Sequence, residues 1–244
     1  MMAGATALYE EALYEEARYE RALREQRPQE ERPREQSPDC GAADTTVRGQ
    51  EPVLLLRTKD GRCLPLEVRR WCAPPDPVDE ELLRRCVGPV IDVGCGPGRL
   101  TLALTERGIP ALGVDIARAA VERARQAGAP ALRRSVFDPL PGEGRWATVL
   151  LADGNIGIDG RPARLLRRCA ELVTPGGQIL VEAEPQDIDE QLTARLEHPD
   201  GRRGPEFEWA RLGTAAVLRA AADGDLAVTD QWREGGRAFV RVTR

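Results

Sequence analysis

Apolar and polar positions alternate along the chain in two different rhythms. The period changes from two to about three and a half and back again several times after residue 76. The run Val90-Ile91-Asp92-Val93 is short, apolar and β-branched, and Leu100, Ala103 and Leu104 follow it on one helical face. Ala111-Leu112-Gly113-Val114-Asp115 predicts a second strand, and Ala117, Ala120, Val121 and Ala124 the helix after it, closed by Gly128 and Pro130. Residues 131–137 predict a third strand and Trp146–Ala152 a fourth. A helix with Leu165, Leu166, Cys169, Leu172 and Val173 inward ends at Thr174-Pro175-Gly176-Gly177, and Gln178–Glu184 makes a fifth strand. Strands alternating with helices in this way build a parallel sheet, whose ligand crevice lies at the carboxyl ends of the strands.

The flanks read differently. Val53–Thr58 and Cys63–Val68 are apolar runs around Lys59-Asp60-Gly61-Arg62, a β-hairpin signal. Arg69-Arg70-Trp71-Cys72 follows, either as a lid or as packing around the tryptophan. A helix capped by Asp76 has Pro77 in its first turn and Asp79, Glu80 and Glu81 at its positive end, with Val78, Leu82, Leu83 and Cys86 inward. After a helix at 214–223, two extended runs joined by Gly235-Gly236 predict a C-terminal antiparallel hairpin. Residues 7–26 repeat in pentads that hold Tyr9, Tyr14 and Tyr19; a five-residue step turns the side chain by about 140° on a helix, so no coiled-coil seam forms. Together with the proline-bearing, charged residues 27–50, this reads as a low-complexity tail outside the fold.

The glycines after the first strand carry the chemistry. Gly94, Gly96 and Gly98 stand at alternate positions, two residues after Asp92. A dinucleotide-binding turn needs its third glycine where Arg99 stands. The spacing Gly-x-Gly-x-Gly after an acid instead resembles motif I of class I S-adenosylmethionine (SAM)-dependent methyltransferases. Five parallel strands closed by a hairpin are also similar to the sheet of that family. The resemblance covers residues 76–244. It implies an α/β fold with a seven-stranded, mostly parallel Rossmann-like sheet, helices on both faces and a C-terminal antiparallel hairpin. The organisation expected is a tail over 1–50, a hairpin and lid-like segment over 51–75 and the methyltransferase domain over 76–244.

By the same resemblance the cofactor is SAM. Asp92, Gly94, Cys95, Gly96 and Gly98 would lie along its methionine half. Asp115 with Ile116 would clasp the ribose, Phe137 and Asp138 the adenine, and Asp153 the end that carries the methyl group. Asp153 and Asn155, in the loop Asp153-Gly154-Asn155-Ile156-Gly157, are the candidates for orienting the acceptor. That loop lacks the Asn/Asp-Pro-Pro-Tyr/Phe sequence of the family's amino-methylating nucleic-acid enzymes. Asp92, Asp115, Asp138 and Asp153 all fall at strand ends and are expected to share one rim.

Composition trims the alternatives. There are 35 basic against 40 acidic residues, a formal charge of −5, and Lys59 is the single lysine. A polyanion is thus not the expected partner, and arginine pairs such as Arg133-Arg134 read as solvated faces. Six cysteines without a Cys-x-x-Cys pair, and one histidine, His198, suggest neither a metal site nor a disulfide framework. His198 reads as a loop residue, and the acids at 182, 184, 187, 189 and 190 as a solvated run, with receipt of a cationic substrate or a general-base role as the alternative. No apolar stretch suits a membrane span and no signal pattern is present, so a cytoplasmic enzyme acting on a small-molecule methyl acceptor is expected. Two alternatives stay open: an NAD(P)-dependent oxidoreductase and a non-catalytic SAM-binding module.

Overall fold

The strand that precedes the glycine turn sits near the middle of a seven-stranded sheet. In the computed structural model, which describes residues 54–198 and 201–244, the sheet runs β10-β11-β7-β6-β3-β4-β5. Its strands are β3 (Val90–Val93), β4 (Ala111–Asp115), β5 (Ala131–Arg133), β6 (Trp146–Leu151), β7 (Val173–Ala183), β10 (Ala227–Glu234) and β11 (Arg237–Thr243). The pairs from β5 through β7 are parallel, and β11 pairs antiparallel with both β7 and β10. All four residues of β3 are buried, as a strand covered on both faces must be. The low-complexity tail of residues 1–50, Cys40 within it, lies outside the described residues.

Helices cover both faces. On one side Leu82 and Leu83 of α2 (Pro77–Arg84) and Leu100 and Leu104 of α3 (Arg99–Glu106) pack with Phe239. On the other, Leu165, Leu166, Cys169 and Leu172 of α5 (Pro162–Leu172) and Val217 of α6 (Thr214–Asp223) meet Ile91, Val149 and Ile179. Helix α4 (Arg118–Gln126) turns Val121 and Ala124 toward Cys95 and Ala131. Two boundaries differ from the sequence reading. The third strand stops at Arg133 instead of 137, because Ser135–Asp138 turns back on itself with the Asp138 N–H on the Ser135 carbonyl. The turn at 174–177 is absorbed into β7: pairing passes from Trp146↔Val173 to Thr148↔Gln178, so the extra residues bulge out.

A second sheet, antiparallel throughout and ordered β2-β1-β8-β9, roofs the strand ends. The hairpin supplies β1 (Leu55–Thr58) and β2 (Cys63–Pro65), while β8 (Asp189–Glu197) and β9 (Phe207–Leu212) come from the far side of β7. Leu56, Ala194 and Leu196 are buried on its inner face, against Val68 of α1 (Val68–Cys72) and Ala117 and Ala120 at the start of α4. The charge run at 187–190 therefore leads into a strand, and His198 is buried at its end with Arg202 beside the ring.

Charge ties roof to base. Asp79, in the first turn of α2, is fully buried, not solvated as its place at a helix start suggests. Its carboxylate closes a capping box with Asp76 and receives Arg99 and, at 2.8 Å, Arg237 Nη1. Arg70 Nη2 of α1 stands 3.3 Å away. Arg99 Nη2 continues to Asp153 Oδ2 at 2.7 Å, and Arg237 grips Glu182 through two bonds of 2.7 Å. Burial pushes the Asp79 carboxyl up, but the arginine hydrogen bonds and charges outweigh it and hold it at about 2, below the 3.8 of a free group. This stabilisation is present above pH 3.8 and disappears as the pH falls toward 2. Asp79→Ala leaves two buried guanidinium groups short of a partner and should destabilise the protein at pH 7 by about 3 kcal/mol. Urea denaturation checks this; a loss under about 1 kcal/mol, the range of an exposed pair, would contradict the arrangement.

Candidate functional site: a cavity at the strand ends

Between the roof and the carboxyl ends of β3, β4, β6 and β7 lies a cavity of roughly 600 Å³. That is the size of sites that enclose a small molecule. Its floor is the glycine turn. Gly94, Gly96 and Gly98 have φ of +73°, +54° and +86°, a region costly for residues with a Cβ. At Gly94 a Cβ would come within 2.7 Å of the Asn155 amide, and at Gly98, which starts α3, within 2.6 Å of Ala124 Cβ. The turn thus keeps main chain bare toward the cavity and lets α3 and α4 touch.

Three strand-end acids meet here. Asp115 accepts the Gly96 N–H at 2.9 Å and the Ala117 N–H at 2.8 Å, so its carboxylate is fixed beside the glycine turn. Asp92 is buried and accepts the Thr101 hydroxyl at 2.7 Å. Asp153 has a left-handed backbone, φ +54°, which aims its carboxylate back at Arg99, and its N–H donates to Glu182 Oε2 at 2.8 Å. Its Oδ1 accepts no hydrogen bond; Arg70 Nη1 stands 3.1 Å away as a charge partner without donor alignment.

Burial pushes all three carboxyls up. For Asp92 it outweighs the Thr101 bond, and the charges of Asp153 and Asp115 add to it, giving about 6. For Asp115 burial prevails over the backbone N–H groups of Ala117 and Gly96. For Asp153 burial and Glu182 prevail over Arg99. Neighbouring carboxylates that hold each other up in a dry wall make a place where a cation is favoured. Cys95 is buried, and burial first, then Asp92, lifts its thiol well above the usual range, so it is a neutral wall residue.

The structure brings most of the expected residues together. Asp92, Gly94, Cys95, Gly96, Asp115, Ile116, Phe137, Asp153 and Asn155 all line the cavity. Asn155 opens a 3₁₀ turn (Asn155–Gly157), and its Nδ2 donates to the Gly94 carbonyl at 3.0 Å, locking the fourth-strand loop to the glycine turn. Gly98 stands one step back, at the start of α3. Asp138 is a correction: it is exposed and absent from the wall, because the turn after β5 points it away and Arg168 Nη2 holds its carbonyl at 2.9 Å. Phe137 keeps its place, with the Arg164 guanidinium 4.1 Å from its ring centre.

Sequence reasoning passed over the roof residues Leu64, Leu66, Leu196, Phe207 and Trp209, and it favoured a solvated run for Glu182, which is buried. One signal was available: Leu192, Ala194 and Leu196 alternate with Thr193, Arg195 and Glu197. Among the described residues no three His, Cys, Asp or Glu side chains are placed to hold a metal ion.

Residues 90–177 match the family described as methyltransferase domain. Over that stretch the chain is similar to a methyltransferase domain, and the strand order above is a Rossmann-like one. Among individual proteins it is similar to the ubiquinone biosynthesis O-methyltransferase of Pseudomonas paraeruginosa, 32% identical over 101 residues. That alignment takes in 38% of this chain and 42% of the relative. The same enzyme from Methylococcus capsulatus is 30% identical over 113 residues, 43% of this chain and 46% of that one. The chain thus spans less than half the length of the curated relatives it matches. In three dimensions it is similar to a SAM-dependent methyltransferase from Bacteroides fragilis in complex with S-adenosyl-L-homocysteine. The TM-score is 0.68 at 22% identity, covering 81% of this chain and 89% of that one. The CcbJ methyltransferase from Streptomyces caelestis follows with a TM-score of 0.53 at 15% identity, over 71% and 91% of the two chains. At these identities the likeness is one of fold.

Asp92 supplies a test of the wall's dryness. Its folded value of about 6 lies above the 3.8 of a free carboxyl, so its ionisation costs stability once the pH exceeds 6, and the cost is gone below 3.8. At pH 8 the shift corresponds to about 3 kcal/mol. Asp92→Asn should therefore be the more stable protein at pH 8, with the gap to the parent closing as the pH falls to 4. Equal pH dependence of the two proteins in urea titrations would refute the burial argument.

Proposed function

We propose that the protein is a SAM-dependent methyltransferase that transfers a methyl group in line to a small molecule. The observation that carries this reading is the Asp115 carboxylate. It is pinned by two backbone N–H groups beside a bare glycine turn, on the floor of a cavity in a methyltransferase fold. The residues suit the cofactor. Asp115 keeps lone pairs for the two ribose hydroxyls, Ile116 and Phe137 give the adenine an apolar berth, and Asp92 with Asp153 supplies negative charge for a cation. A sulfonium brings a strong electrophile and a neutral leaving group. The chain's work is then to hold the acceptor in line and to exclude water, for which orientation alone is worth effective molarities of about 10⁵–10⁸ M. Asn155, tied to Gly94, fixes the loop, and Asp153, with one oxygen on Arg99 and the other unbonded, orients the acceptor.

The oxidoreductase reading is disfavoured by Arg99. The place of the third glycine in a dinucleotide turn is taken by a buried guanidinium engaged with Asp79 and Asp153. No helix among the described residues is long and apolar enough to cross a membrane. Free thiols at Cys63, Cys86, Cys95 and Cys169 suit a reducing cytoplasm. With a net charge of −5, a nucleic acid is not the acceptor we propose.

Calorimetry with SAM and with NAD is the direct test: saturable binding of SAM alone is expected, and binding of NAD alone would overturn the assignment. Asp115→Ala should weaken SAM binding at least about tenfold, the worth of hydrogen bonds to a charged group. Asp115→Asn, which keeps one acceptor oxygen, should lose less. Transfer of label from methyl-labelled SAM to a metabolite extract separates an enzyme from a binding module.

A further inference from the structure

The acceptor half of the cavity has its own chemistry. Of the seven tryptophans and phenylalanines among the described residues, four line this one cavity: Trp71, Phe137, Phe207 and Trp209. Phe137 belongs to the floor, beneath Arg164. The other three pack on the roof's apolar cluster, and Phe207 and Trp209 meet edge to face with ring centres 6.3 Å apart. The charge of the wall is one-sided. Eight of the twelve ionic side chains that line it are carboxylates and four are arginines.

None of those arginines is idle. The roof's own cation, Arg211, is bonded to Glu184 at 2.8 Å and reaches Glu190 at 3.4 Å. Arg99 is shared by Asp79 and Asp153, Arg70 by Asp76, Asp79 and Asp153, and Arg134 Nη1 donates to the Pro139 carbonyl. At Arg70, Arg99 or Arg211 an anionic acceptor would have to displace a carboxylate already in place, while Arg134 is exposed and turned to a backbone carbonyl. A cation meets a different situation: aromatic faces, a surplus of carboxylates, and Asp153 Oδ1, which accepts no hydrogen bond and has only the Arg70 Nη1 charge 3.1 Å away.

Resting on the methyltransferase reading, we propose that the acceptor is an organic amine with a flat apolar body, captured as its ammonium form between the roof aromatics and Asp153. The body lies against Trp71, Phe207 and Trp209, and the nitrogen points down to the fourth-strand loop. There the ammonium proton passes to the Asp153 carboxylate. The freed lone pair forms the new nitrogen–carbon bond as the methyl–sulfur bond breaks, with that bond's electron pair left on sulfur. The methylated ammonium carries away the positive charge that the sulfonium brought, and Asp153 returns its proton to solvent.

The test is a matched pair of ligands, tryptamine and indole-3-propionate, titrated calorimetrically into the full chain saturated with S-adenosylhomocysteine. Tryptamine should bind at least about tenfold more tightly. Trp209→Leu should weaken tryptamine, and Asp153→Asn should shrink the ratio between the two ligands toward one. Equal or tighter binding of the propionate, or no tryptamine binding at millimolar concentration, overturns the proposal while S-adenosylhomocysteine still binds. Failure of S-adenosylhomocysteine itself to bind overturns the methyltransferase reading and this proposal together. For Trp209→Leu, unchanged S-adenosylhomocysteine affinity shows that the floor is intact.

Discussion

The fold closes around a buried charge problem. Arg99 and Arg237 lie among Asp79, Asp153 and Glu182, and each group is tolerable only because the others are present. These five side chains come from α2, α3, β11, the β6 loop and β7, so one electrostatic condition sets the relative positions of five elements. Arg70 extends the condition to the short helix beneath the roof. Apolar packing would tolerate small slips between these layers. Ion pairs with bidentate geometry, such as Arg237 on Glu182, tolerate far less.

The same acids that stabilise the frame also face the cavity. Asp153 accepts Arg99 on one oxygen and faces Arg70 with the other, which takes no hydrogen bond, so a wall residue of the cavity is held by the frame. Asp92 and Asp115 have no arginine of their own; hydroxyl and backbone donors hold them, and burial lifts both. Stability is given up at the wall and recovered in the network behind it, as functional sites commonly show. A ligand that brings positive charge relieves the wall.

Much of the frame was legible because it rests on local signals. The glycine spacing, the alternation of periods from 90 to 184 and the Asp76 cap each depend on neighbouring residues, and the elements follow the order of the pattern, with the end of β5 and the start of β7 displaced. What the sequence concealed is long-range. Asp79 looks like any acid in a first helical turn, and only the approach of Arg99 and Arg237 from distant segments makes it a buried hub. Asp138 follows a strand-like run, yet the strand ends five residues earlier and a turn carries the side chain away. The roof escaped for a related reason. Its two halves, β1–β2 and β8–β9, are each short and half polar, and they become a sheet only on meeting.

That meeting has a consequence for biogenesis. The pairing Leu55↔Glu197 joins residues more than a hundred positions apart, so β1 and β2 must wait, unpaired at their free edge, until β8 has been made. A ribosome extends a chain at about 5–20 residues per second, which leaves the early hairpin exposed for seconds. Polar residues at its tip, Lys59 to Arg62, and the brevity of both strands limit what that edge can recruit meanwhile. The ligand chamber is accordingly among the last parts of this protein to come into being.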